Sequence, residues 1–284
     1  MTHPLLSLNQ ATIKYAPLAD ALRVTADAGY TSIGLWREPV AEVGLAASVK
    51  LVEDSGLRVS SMCRGGFFTL AEGAERRAAI DDNRRAIDET AALGAPALVL
   101  VAGGIPAGSR DLIGARSRVT DALGELSDYA LEAGVTLAIE PLHPMYVSDR
   151  AVVSTLGQAL DIAEQFPAEA VGVVVDTFHV WWDPQVLDQI ARAGASGRIA
   201  SYQVCDWATP LAADVLLSRH YPGDGVIDFA SLTTAVVASG YAGDIEVEIF
   251  NQEIWDASWP EVAGRTASAF DAVVSPYLSG VGVL

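Results

Sequence analysis

The 284-residue chain is predicted to fold as an α/β protein, a single (β/α)8 barrel spanning residues 1–284. Three observations predict it. Apolar, β-branched runs alternate with helical patterns eight times along the chain, and a unit of about 35 residues repeated eight times suits closure into one barrel. Of the seven junctions that return from helix to strand, six carry glycine and one carries proline, as expected where a helix must stop and the chain turn back. An open doubly wound sheet would announce itself with a glycine-rich turn after its first strand, and Asn9-Gln-Ala-Thr-Ile-Lys14 has none.

In chain order, a first strand is expected near 5–12 and a helix over 16–28, stopped by Gly29. Strand 31–36, Thr-Ser-Ile-Gly-Leu-Trp, leads to helix 41–55 and Gly56. Strand 57–62 precedes helix 75–93 and Gly94, and strand 97–102 precedes helix 110–133 and Gly134. The second half repeats the rhythm: strand 135–140, helix 156–166, Pro167; strand 171–176, helix 184–193, Gly194; strand 199–204, a longer loop, helix 229–239, Gly240; strand 244–250. A last helix is expected from Ser258, whose hydroxyl and Glu261 three residues on would form a capping box, to Val274.

Composition narrows the function classes. Hydrophobic residues make up 51% and charged residues 19%, which suits a globular enzyme and excludes a disordered chain. The formal net charge of −18 repels nucleic acid and anionic membranes, and the Arg76-Arg77 and Arg84-Arg85 pairs sit among acids in a helical pattern. No apolar run reaches the roughly 18 residues needed to span a bilayer, and Met1-Thr-His-Pro does not start like a signal peptide, so a cytoplasmic location is expected. Cys63 and Cys205 provide neither a disulfide framework nor zinc spacing.

Four strands end in polar oxygen-bearing residues: Leu137-Ala-Ile-Glu140, Val173-Val-Val-Asp176, Ala200-Ser-Tyr-Gln203 and Ile245-Glu-Val-Glu248. One acid after a strand is usually a cap or a solvated loop residue; four on successive strands would converge on one barrel rim. Three carboxylates there repel one another unless a cation lies among them, and an all-oxygen set of Glu140, Asp176, Gln203 and Glu248 suits Mn²⁺ or Mg²⁺ better than zinc. His179 and His143, each three residues past an acid, face the same cleft or serve as structural histidines. Arg219, in the long loop after strand seven, either holds a substrate oxygen or pairs with a surface acid. Trp36, Trp181, Trp182, Trp207 and Trp255 all fall just past strands, where they would wall a sugar-binding cleft or pack beneath loops.

The stretches Ile139-Glu140-Pro141, Val175-Asp176-Thr-Phe-His179, Tyr202-Gln203-Val-Cys-Asp206, Arg219-His-Tyr-Pro-Gly-Asp-Gly-Val-Ile-Asp228 and Glu246-Val-Glu248 resemble the sugar phosphate isomerase/epimerase family. These are xylose-isomerase-like TIM barrels that include ketose 3-epimerases, inosose dehydratase, inosose isomerase and hydroxypyruvate isomerase. The resemblance covers essentially the whole chain. It implies that the four strand-end residues bind a divalent metal, that Glu140 and Glu248 are the proton-transfer pair, and that His179 and Arg219 contact substrate. Most members carry histidine where this chain has Gln203; hydroxypyruvate isomerases are similar to it there, whereas the loop beyond looks like the inositol-pathway members. The endonuclease IV branch needs a histidine-rich cluster for three zincs, and this chain has four histidines in all.

The expected chemistry is proton transfer next to a carbonyl through a metal-stabilised enediolate, with Glu140 and Glu248 as acid and base and with His179, Arg219, Trp36, Trp182 and His143 lining the substrate. Epimerisation, isomerisation and elimination share that first step. The runner-up is a lyase acting on a keto-inositol or a 3-keto-glycoside, and a third reading is a non-catalytic sugar-binding barrel. A Schiff-base aldolase is disfavoured, since the chain has two lysines and Lys50 falls inside a predicted helix. The expected partner is a small sugar or inositol-derived molecule, with no nucleic acid and no membrane; a homo-oligomer is compatible with the chain.

Overall fold

A computed structural model describes residues 2–278. Eight parallel strands close into a barrel: Leu6–Asn9 (β1), Ser32–Trp36 (β2), Arg58–Gly66 (β3), Ala97–Val101 (β4), Thr136–Glu140 (β5), Val171–Asp176 (β6), Ile199–Val204 (β7) and Ile245–Val247 (β8). They pair in sequence order, and β8 pairs back onto β1. Outside them lie Leu18–Asp27 (α1), Leu45–Ser55 (α2), Ala74–Ala92 (α3), Leu112–Glu132 (α4), Leu156–Ala163 (α5), Val186–Ala195 (α6), Phe229–Ala238 (α7) and Trp259–Val273 (α8). Among the described residues, no helix is long and apolar enough to cross a membrane.

Alternation along each strand sorts the side chains into two layers. Leu6, Leu8, Ile33, Leu35, Leu98, Leu100, Leu137 and Ile139 join the main core, each burial stabilising the fold by about 2 kcal/mol. The complementary positions Cys63, Ala97, Val99, Ala138 and Val174 form a second, inner cluster of small side chains. The barrel axis is therefore filled to its lower levels, and the larger polar residues at the C-terminal strand ends have room above it.

Several boundaries differ from expectation, each for a local reason. The first strand stops at Asn9 because its side chain accepts a hydrogen bond from the Ala11 amide and starts a 3-10 turn, Gln10–Ile13. The helix expected over 41–55 is two helices, Arg37–Val43 and α2, parted by Gly44 at φ 88°. The helix expected over 156–166 ends at Ala163. Ser258 does precede α8, but its hydroxyl makes no capping bond. The eighth strand is shorter than expected because, beyond Val247, the Ile249 amide donates to the Thr12 hydroxyl rather than to a neighbouring strand.

Gly194 was expected to end its helix, yet it lies inside α6, and Gly197, at φ 63°, makes the turn instead. The reason for glycine at 194 is space: a Cβ there would lie 2.3 Å from the Ser239 Cβ, where the end of α7 crosses α6. Gly194→Ala is therefore expected to destabilise the fold by about 1–3 kcal/mol, read as a lowered thermal midpoint. An unchanged midpoint would mean that α6 and α7 slide apart freely.

Candidate active site

Glu140 and Asp176 are the last residues of β5 and β6, and Asp176 is paired in register with Gln203 of β7. Asp176 Oδ1 accepts the Phe178 amide at 2.8 Å and caps the short helix Thr177–Val180. That turn returns the His179 ring to the carboxylates: Nε2 lies 3.8 Å from Asp176 Oδ2 and 3.9 Å from Glu140 Oε1. Glu140, Asp176 and His179 each offer a ligand atom within 4.8 Å of the others.

Glu248, just past β8, joins this group through Arg219. The Arg219 Nη1 donates to Asp176 Oδ2 and to Glu248 Oε2, both at 3.0 Å, and Nη2 lies 3.0 Å from His179 Nε2. Its guanidinium stacks between the rings of Phe178 and Phe250, at 4.6 and 5.2 Å. Of the two readings of Arg219, pairing with a surface acid is replaced by pairing with two buried ones. The His143 amide donates to His179 Nδ1 at 3.2 Å, so both ring nitrogens meet donors. A neutral imidazole has one lone pair, and the two contacts compete for it.

Burial dominates the electrostatics. It pushes the Glu140 carboxyl well above the usual range, with Asp176 and Glu248 adding repulsion. It also raises Glu248 to about 8, against the opposing pull of Arg219. Burial, then Arg219, holds His179 well below the ordinary imidazole value, so the ring is neutral. Burial opposes the charge on Arg219 itself, and Asp176 and the other surrounding acids outweigh it. Three buried carboxyl groups face one guanidinium, and either protons or a doubly charged cation balances the remainder. Gln203 is 1% exposed and neither of its amide atoms has a hydrogen-bond partner; an unpaired buried carbonyl oxygen next to Asp176 is what a cation ligand looks like without its ion.

A cavity of about 850 Å³ opens over this group, and Glu140, Glu248, His179, Arg219 and Trp36 line it. Trp182 and His143, expected to face substrate, stand behind His179 instead. The Trp182 indole donates to the His179 carbonyl at 2.8 Å and packs edge-on against His143, which also meets Trp207. Lys14, Arg64 and Arg150 reach the cavity wall, while Arg37 is bound to Asp82 and Glu89.

Three supporting residues were given no role of their own by the sequence. Asp206 accepts the amides of Trp207, Gly223, Gly225 and Ile227 and so folds the long loop that delivers Arg219. Asn251 Nδ2 donates to the Arg219 carbonyl at 3.1 Å. Glu246, one level below Glu248, accepts from Asn9 Nδ2 at 2.9 Å, and Asn9 Oδ1 accepts from the Trp36 indole at 2.8 Å, fixing the wall of the cavity. The Asp206–Gly223–Gly225 spacing was the one clue, since a carboxylate can gather the amides of a glycine-rich turn.

Comparison with known proteins agrees with this architecture. A crystallised protein from Sinorhizobium meliloti 1021 is 45% identical and superposes with a TM-score of 0.92 over 95% of this chain and 98% of its own. The L-ribulose 3-epimerase of Mesorhizobium japonicum is 27% identical over 87% of this chain and 80% of its own length. The inosose isomerase of Bacillus velezensis is 30% identical over 55% of each chain, and the 3-dehydroshikimate dehydratase of Pseudomonas putida is 32% identical over 54% of this chain and 23% of its own. The match thus spans about half the length, or less, of these last two relatives. A structure of the IOLI protein with a bound zinc atom shares the fold, with a TM-score of 0.82 at 23% identity over 98% of this chain and all of its own. The family model described as xylose isomerase-like TIM barrel matches residues 22–272, and the chain belongs to that family.

Proposed function

We propose that the protein is a divalent-metal-dependent sugar isomerase or epimerase that moves a proton next to a carbonyl, with Glu140 and Glu248 as the exchanging pair. One observation carries this reading: two buried carboxyls with raised proton affinity line the same cavity, Glu248 held by Arg219 and Glu140 beside Asp176, the other acid that Arg219 bonds. A general base works best with a pKa near the operating pH, and burial moves both groups that way. Glu140, Asp176, Glu248 and either Gln203 or His179 would hold the metal, and the oxygen-rich set favours Mn²⁺ or Mg²⁺. A cation bound there supplies Lewis acidity that makes the C–H next to a carbonyl easier to ionise. Within the chain, one glutamate takes the proton from carbon and the other returns one. Arg219 and neutral His179 orient the substrate oxygens, and Trp36 helps to exclude water.

The relatives named inosose isomerase and L-ribulose 3-epimerase support proton transfer on a small sugar or inositol ketone. The relative named 3-dehydroshikimate dehydratase favours the second reading, a lyase that begins with the same proton removal. Metal analysis of the purified protein, followed by a screen for α-proton exchange in deuterium oxide, tests both. Ketoses, inososes, hydroxypyruvate and 3-keto-glycosides are the compounds to screen. Exchange with a rearranged product supports the isomerase, and exchange with a dehydrated or shortened product supports the lyase. No exchange by the metal-loaded protein in any compound would sink the proton-transfer reading.

A further inference from the structure

The cavity is larger than one small sugar needs. Ligand pockets run from roughly 300 to 1,000 Å³, and this one, at about 850 Å³, lies near the upper end. The extra space is walled by rings in sequence: Trp36 and Phe250 at 5.6 Å between centroids, Phe250 and Trp255 at 5.8 Å, and Trp255 and Tyr15 at 5.9 Å, each edge to face. Arg219 lies 5.2 Å from Phe250, the second ring of the row; Phe250 and Trp255 are buried, and the row ends at Tyr15, which is 51% exposed. Phe250 and Trp255, with Trp36, Leu216 and Leu217, form an apolar cluster separate from the barrel's main core. Phe67 adds a further ring to the lining: it is 41% exposed and sits at φ 61°, a backbone region costly for a residue with a side chain. An exposed aromatic kept at such a position, over a cavity already walled by rings, points to a ligand.

We propose that this row is a second subsite, stacking a ring with a flat apolar face that is joined to the reacting sugar. The substrate is then a glycoside or similar conjugate rather than a free monosaccharide. Sugar rings and aromatic rings both present such a face, and stacking on edge-to-face aromatics is available to either. Lys14 Nζ, 4.3 Å from the Trp255 ring, supplies a donor to an oxygen on the second ring. The identity of the first ring rests on the proton-transfer reading above, but occupancy of the second subsite is tested by binding alone.

The experiment is calorimetric titration of the metal-loaded, full-length protein with methyl β-D-glucopyranoside, phenyl β-D-glucopyranoside and methyl β-cellobioside. At least one two-ring probe is expected to bind tenfold or more tightly than the one-ring probe; a gain with the phenyl compound assigns an aromatic aglycone, and a gain with the cellobioside a second sugar. That gain is expected to shrink to threefold or less in Phe67→Gly and in Tyr15→Ala, both exposed positions outside the main core. Equal affinity for all three probes, no binding by any, or a gain that survives in both variants would overturn the subsite. Failure of the proton-transfer reading shows up separately, as absent deuterium exchange with the ring preference intact.

Discussion

Glu248→Gln and Glu140→Gln are each expected to lower α-proton exchange by at least about 10³-fold while leaving the fold intact. Glutamine keeps the size of the side chain and an oxygen that can accept from Arg219, so the 3.0 Å contact at position 248 survives in form. What is lost is the ability to take up a proton, the property that burial enhances at both sites. Loss of a positioning group should cost less: His179→Gln or Arg219→Lys keeps both carboxyls, and the rate should fall by about 10²-fold. NMR detection of deuterium incorporation, with circular dichroism to check folding, separates these outcomes. Full exchange in both glutamine variants would remove the pair from the reaction.

The barrel was legible because its signal is repeated. Eight apolar strands, each followed by a helical pattern and a helix stop, leave few alternatives, and the closed order of the eight strands agrees. Boundaries failed where one side chain or one glycine competes with the regular pattern. Asn9 takes an amide that would have extended β1, and Gly194, read as a stop, turned out to be a contact surface against Ser239. Such choices depend on neighbours far away in sequence.

The same distinction runs through the site. Glu140, Asp176 and Glu248 were legible since a strand end fixes which way its last residue points. Arg219 could be placed in the correct loop but not at its partners, because that loop's path is set by Asp206 gathering four amides from both sides of it. Trp36 ends β2 itself, whereas His143 follows β5 and Trp182 lies beyond the turn after Asp176, and both pack beside His179 rather than on the cavity wall. The aromatic row is less legible still: Tyr15, Trp36, Phe250 and Trp255 come from opposite ends of the chain and meet only when the barrel closes.

Stripped of divalent ions, the protein is expected to become less stable as pH rises from about 5 to 8, and added Mn²⁺ or Mg²⁺ is expected to abolish most of that loss. The folded state raises Glu248 from 4.5 to about 8 and moves Glu140 upward too. Below the unfolded value both states hold the protons and the fold has its full stability. Above it the unfolded chain releases protons that the folded chain retains, and stability falls by up to about 1.4 kcal/mol per pH unit for each retained proton. Past pH 8 Glu248 is ionised in both states and its contribution to the slope ends. A cation that binds only the folded, ionised site reverses the penalty, and its effect grows with pH as competition from protons weakens. Thermal melts at pH 5, 6.5 and 8, in chelator and in millimolar Mn²⁺, read both effects. Glu140→Gln should flatten the slope in chelator, since it removes one of the two protons at issue. A midpoint that rises with pH in chelator would contradict the raised proton affinities, and one that ignores the metal at pH 8 would show that protons rather than a cation balance the carboxyls, leaving a metal-dependent enzyme no basis at this rim.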